Sequence, residues 1–454
     1  MHTTERYFDE TVDFIAEMLR YDSSMKEAED NAPFGKEVAA CLQAFLAKAE
    51  SFGFETKNYD NYVGEVIFGK GEPFAILAHL DVVPAGDGWT YPPFGGVIND
   101  DVSSTGVKGK KVWGRGALDD KGPAVCCLYA MKALKDEGIV PNRQIRLILG
   151  CNEESGWKCI EHYNKVAKMP KEGFTPDADF PVIYAEKGIL HFTLHFPIAN
   201  APFKTLTAGE RVNMVCSKAT ALLTKEAGSQ LSLYDGFTEC FYDNTTGYLT
   251  TYGKSAHAST PDQGENALEK LMAFFATVND DCKEAYEIAF LDRYGVREMQ
   301  DETGRLTMSP NLARYEDGVL HITVDIRFPS THTKEEVLGA FEAHGVQYTV
   351  ENYQAPLYNN PNGKLIRTLL GVYDECMGTT SQPIAIGGGT YARALENGCG
   401  FGPEVPGEVS TIHQANEFVS FERIALMNKV YYEAIRRTTC EEKHRVATIK
   451  IARK

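Results

Sequence analysis

FAILAHLD (residues 74–81) is an apolar run of strand length that closes on a histidine and an aspartate. IRLILGCNEES (residues 145–155) repeats the arrangement and closes on Asn152, Glu153 and Glu154. Nearly unbroken apolar runs suit strands covered on both faces, whereas a strand with one wet face alternates. Between the two, Gly122 to Glu137 carries Val125, Leu128, Met131 and Leu134 at three-residue steps, which reads as a helix. Working outward, Val63 to Phe68 and Pro181 to Ala185 read as further buried strands, and residues 5–21 and 35–52 as helices. Strands alternating with helices predict an α/β fold with a mostly parallel sheet flanked by helices.

From about Ile189 the texture changes. HFTLHF, GYLTTYG and HITVDIRFP alternate apolar with polar residues, as half-exposed antiparallel strands do, and Ala267 to Phe290 and Thr333 to His344 read as helices. Near Pro356 the first texture returns, with a helix at Lys364 to Met377, a run at Pro383 to Ile386 and a closing helix near Phe421 to Arg437. The expected organisation is an α/β domain made of residues 1–187 and 355–454, with an α+β domain, residues 188–354, inserted into it.

With 454 residues the chain exceeds what one core usually serves, which also favours two domains. A formal net charge of -17 argues against nucleic acid and against an anionic membrane surface as partners. The first residues hold acids and no apolar core, so they are not read as a signal peptide, and no run is long enough to span a bilayer. Eleven cysteines without a CxxC pair suit a reducing compartment, so a cytoplasmic location is expected. Cys126 and Cys127, inside the helical stripe, read as small core residues.

The chemistry gathers where these strands end. His79, Asp81, Glu153 and Glu154 follow two of them, Asp119 lies in the loop GRGALDDKGP that opens the helix, and His413 lies in a loop beyond GGGTY. Ligands of open parallel sheets bind outside the carboxyl ends of the strands, so these side chains are expected to converge. Several carboxylates in one cleft repel, and divalent cations relieve that repulsion most simply. Two Zn²⁺ would balance three carboxylate ligands and one hydroxide. Histidine and carboxylate donors without thiolate fit catalytic zinc, manganese or cobalt. Singly, each motif has an ordinary reading as a turn or a helix start; together and in this order they are far more specific.

The segments HLDVVPAGDGW, GRGALDDKGP, NEESGWKC, PDADFPVIYAEKG, GKSAHASTP, IGGGTYAR and IHQANEF resemble those of the dinuclear zinc exopeptidases (carnosinases, carboxypeptidase G and aminoacylases), most closely the bacterial dipeptidase PepV subgroup. The resemblance spans roughly residues 60 to 420. It implies His79 and Asp177 on one zinc, His413 and Glu154 on the other, and Asp119 bridging, with Asp179 and Glu186 as neighbouring alternatives to Asp177. It also implies a cis peptide between Asp119 and Asp120. Glu153 would be the general base for a zinc-bridging hydroxide, and Asp81 the acceptor behind His79 that fixes its tautomer. The resemblance makes residues 1–187 and 355–454 the catalytic domain and residues 188–354 a lid domain. From that lid, His257 would stabilise the oxyanion, Arg327 would hold the substrate carboxylate, and Asn213 would touch substrate.

The expected activity is metal-dependent hydrolysis of dipeptides or very short peptides, with two Zn²⁺ (or Mn²⁺ or Co²⁺). A monomer is expected, with a homodimer as the alternative. Rival readings are an N-acyl or N-carbamoyl amino-acid amidohydrolase on the same centre, and a catalytically silent peptide-binding relative.

Overall fold

The computed structural model describes residues 3–103 and 106–440; the ends of the expected catalytic domain, residues 1–2 and 441–454, lie outside them. The chain forms two compact units. Unit 1 holds the described residues up to Tyr184, Asn359–Ile384 and those from Thr390 onward, and unit 2 holds Ala185–Tyr358 with Ala385–Gly389.

In unit 1, helices α1 (Phe8–Met18) and α2 (Lys36–Ser51) precede a hairpin of β1 (Glu55–Tyr59) and β2 (Val63–Phe68). Then come β3 (Pro73–His79), β4 (Val97–Asn99), β5 (Lys111–Trp113), α3 (Lys121–Asp136), β6 (Gln144–Gly150), α4 (Lys158–Val166) and β7 (Gly173–Phe174). The main sheet has the order β1-β2-β6-β3-β7. Its β6–β3 and β3–β7 pairs are parallel, and its β1–β2 and β2–β6 pairs antiparallel. The α/β class holds, but the mostly parallel sheet is corrected to a mixed one with its parallel pairs around β3. The short turn between β1 and β2 forces part of this, because parallel neighbours need a long crossover.

The apolar runs do what their composition demands. Phe74 to His79 in β3 and Leu147 to Gly150 in β6 are buried. Helix α3 is buried on nearly every side and packs against β3, α1 and the closing helix Phe421–Thr439. Cys126 and Cys127 are fully buried within it. In the parallel register His79 lies opposite Gly150, so HLD and NEES leave the sheet at the same end.

Unit 2 is an antiparallel sheet of eight strands, ordered Cys240–Tyr242, Tyr248–Tyr252, Lys218–Leu223, Phe203–Ala208, Thr307–Glu316, Val319–Phe328, Gly188–Pro197 and Gln347–Gln354. Leu190, Phe192 and Leu194 point into its core while the intervening residues do not, which is the alternation HFTLHF carries. The single helix expected over 267–290 is corrected to two, Ala267–Val278 and Asp280–Ala289. Asn279 is extended (φ -154°, ψ 127°), and its side chain accepts from the Cys282 N–H at 2.9 Å, ending one helix and capping the next. Among the described residues no helix is long and apolar enough to cross a membrane.

Candidate metal centre

His79, the last residue of β3, is fully buried. Its Nδ1 lies 2.9 Å from the Asp81 main-chain carbonyl, which can only accept. The ring hydrogen therefore sits on Nδ1, and Nε2 presents its lone pair to the cavity side. The His79 backbone N–H donates to Asp120 Oδ2 at 3.1 Å. Nε2 faces Asp119 Oδ1 at 2.9 Å and Asp177 Oδ2 at 3.5 Å.

Asp119 uses its second oxygen elsewhere: Oδ2 is 2.8 Å from His413 Nε2, which in turn is 3.0 Å from Glu154 Oε1. One carboxylate thus faces two imidazoles, one per oxygen. The peptide joining Asp119 to Asp120 is cis. His79, Asp119, Asp177, His413 and Glu154 are all brought together. Asp179 pairs instead in a short parallel bridge with Glu404.

Asp81 stands where expected but acts differently. Its carboxylate is 3.6 Å from His79 Nδ1, beyond a hydrogen bond, and accepts from the backbone N–H groups of Glu153 (3.0 Å) and Glu154 (3.1 Å). The expectation that this carboxylate fixes the imidazole tautomer is corrected. The Asp81 carbonyl holds the ring, and the carboxylate holds the turn that carries both glutamates. Glu153 accepts from the Trp157 indole N–H at 3.2 Å.

Electrostatics show a centre with too much negative charge for its depth. Burial pushes Glu153 well above the usual carboxylate range, and the charges of Asp177 and Glu154 add to it. Burial and then Asp119 push Glu154 up to about 7. Burial opposes the charged form of His413, yet hydrogen bonds to Asp119 and Glu154 carry it up to about 11. Without cations, His413 collects a proton from solution as counter-charge.

The donor set fits a metal. His79 Nε2 and Asp119 Oδ1 are both shut off from solvent and 2.9 Å apart, yet form no hydrogen bond with each other or with any other group. Leaving buried polar atoms unsatisfied costs about 1–3 kcal/mol each, which a shared cation would recover. His79, Asp119 and Glu154, and also His79, Glu153 and Asp177, offer ligand atoms within 4.8 Å of one another. All eleven cysteines are free.

The sequence reading missed the residues that brace this centre. Glu417 is fully buried; its Oε1 accepts from the N–H groups of Gly116 (3.1 Å) and Leu118 (3.0 Å), and its Oε2 from Arg115 Nη1 (2.6 Å). Asp120 holds His79, and the Tyr391 hydroxyl lies 3.0 Å from Cys159 Sγ. Glu417, Arg115, Asp120 and Tyr391 all stand in the segments IHQANEF, GRGALDDKGP and IGGGTYAR, but nothing local assigns them these partners.

The remaining expected residues lie in unit 2. His257 is exposed; its Nδ1 accepts from the Ser259 backbone N–H at 3.1 Å and lies 2.7 Å from the Ser259 hydroxyl. Asn213 is exposed beside it, its carbonyl accepting from the Ala258 N–H at 3.0 Å. Arg327 is buried in a bidentate pair with Asp325, at 2.7 and 2.8 Å, and His191 Nε2 lies 3.1 Å from the same aspartate.

The model of peptidase family M20/M25/M40 matches residues 75–437. The chain belongs to this family. Among M20 relatives, the proposed dipeptidase YtjP of Bacillus subtilis (strain 168) is 34% identical over 449 residues, covering 92% of this chain and 95% of YtjP. The aminoacylhistidine dipeptidase of Vibrio alginolyticus shares the M20 fold with a TM-score of 0.57 at 14% identity, covering 95% of this chain and 96% of that one. Human carnosine dipeptidase 1 does so with a TM-score of 0.54 at 13% identity, covering 95% and 96%.

Proposed function

We propose that this M20 peptidase hydrolyses dipeptides or very short peptides at a centre for two divalent cations, zinc in the first instance and manganese or cobalt as substitutes. In this reading His79 and Asp177 would hold one cation, His413 and Glu154 would hold the other, and Asp119 would serve both. The observation that supports it most is Asp119, which turns one oxygen to each imidazole. The cations, when bound, polarise the scissile carbonyl and acidify a water.

The chain's own residues do the rest. Glu153, held by Trp157 and raised by its buried, acidic surroundings, takes a proton and returns it to the leaving amine. Because His257 Nδ1 accepts from a backbone N–H, its ring hydrogen sits on Nε2, the tautomer that donates to an oxyanion. Asp325 occupies Nε and Nη2 of Arg327, so Nη1 is left to hold a substrate carboxylate. Asn213, next to His257 in unit 2, is the further substrate contact. Residues 188–354 act as a lid over the cleaved peptide, in a monomer.

The test is elemental analysis of the purified protein, then chelation and zinc re-addition during assays with dipeptides, N-acetyl and N-carbamoyl amino acids. Zinc-dependent cleavage of dipeptides is expected. Turnover of the acyl compounds alone would make the chain an amidohydrolase, and tight peptide binding without turnover a silent relative. Dipeptide cleavage indifferent to chelators by a metal-free protein overturns the proposal.

A further inference from the structure

The Arg115–Glu417 pair ties together two segments that lie about 300 residues apart in sequence. Arg115 and Glu417 are both buried, and around them the contacts run both ways. Arg115 reaches the carbonyls of Gln414 (3.2 Å) and Ala85 (3.3 Å), and its guanidinium lies over Trp89, 5.2 Å from the ring centroid. Glu417 accepts from Gly116 and Leu118 in return, and the Asp119 N–H approaches its Oε1 at 3.4 Å. The Gly114 N–H donates to the Glu417 carbonyl at 3.0 Å. Each segment carries one half of a contact in the centre: Asp119 follows Leu118, and His413 precedes Gln414.

We infer that Glu417 is a positioning residue that sets the separation of Asp119 from His413, and through it the affinity of the second cation position. His79 does not depend on it, because β3, the Asp81 carbonyl and Asp120 fix that imidazole independently. Loosening Glu417 loosens Asp119, which both positions share, and also the His413 loop, so the position built on His413 loses more. The inference rests on the two-cation reading above.

The experiment titrates Zn²⁺ into the metal-free full chain by calorimetry, for the parent and for Glu417→Gln, with thermal unfolding of each metal-free protein alongside. Glutamine keeps the size and one acceptor oxygen but sets an N–H₂ against Arg115 or the loop amides. The expected result is a second equivalent weakened about 10- to 100-fold, the usual cost of removing a group that orients a ligand, and a first weakened clearly less. Two unchanged equivalents in a folded variant, or two weakened alike, overturn the assignment while leaving the two-cation reading intact. A parent that binds one equivalent overturns both. Should Glu417→Gln not fold, Arg115→Lys, which keeps the charge but loses the fork to Gln414 and Ala85, makes the same demand.

Discussion

Glu153 and Glu154 are neighbours in the chain with opposite duties, and the difference is geometric. Glu154 lies against an imidazole, whereas Glu153 has the Trp157 indole as its partner. Glu153→Ala is expected to lower kcat by about 10²- to 10⁴-fold while bound zinc, read by elemental analysis, stays at the parent level. Equal turnover in both forms removes Glu153 as the base.

Proton competition gives a second expectation. Glu154 at about 7 and His413 at about 11 are both raised above their ordinary values of 4.5 and 6.5, so the folded metal-free protein holds these protons more tightly than the unfolded chain. The stability they contribute is present at low pH. It is lost as pH rises, from 4.5 through about 7 for Glu154 and from 6.5 through about 11 for His413. Zinc competes for the same atoms and gains as those protons leave. The gap between metal-free and zinc-loaded unfolding midpoints should widen between pH 6 and pH 8 in scanning calorimetry; a narrowing gap contradicts the picture.

At the level of elements, the site depends on two strand ends that no side chain separates. Gly150 ends β6 opposite His79, and a Cβ there would lie 2.0 Å from the Tyr391 hydroxyl. Gly150→Ala must push Tyr391 off Cys159, and a loss of about 1–3 kcal/mol is expected in denaturant unfolding. What was legible in the sequence follows the same geometry. Buried strands write themselves as apolar runs, so the residues just beyond them, His79 and Glu153 among them, could be found by position. The role of Glu417 could not, although IHQANEF contains it, because its partner Arg115 is remote in sequence. The break at Asn279 was hidden because apolar periodicity continues across it, and only the side-chain cap reveals two helices.

On the scale of the whole molecule, unit 2 is nearly continuous in sequence and owns a core that runs from Leu190 to Phe341. A segment with its own core is able to fold alone. Residues 185–358 expressed separately should melt cooperatively by circular dichroism, and a featureless melt counts against autonomy. Unit 1 is discontinuous and has no such option.

That discontinuity also governs the order of assembly on the ribosome. Of the side chains gathered around Asp119, His79, Glu154 and Asp177 emerge first, and His413 follows Asp177 by 236 residues. At translation rates of about 5–20 residues per second that interval lasts roughly 12–47 seconds. During it the nascent chain carries acids and one imidazole that lack their second histidine, while unit 2 is being made. The hydrolytic centre is thus a late product of translation, closed only when a loop from the far side of the inserted segment comes back to meet it.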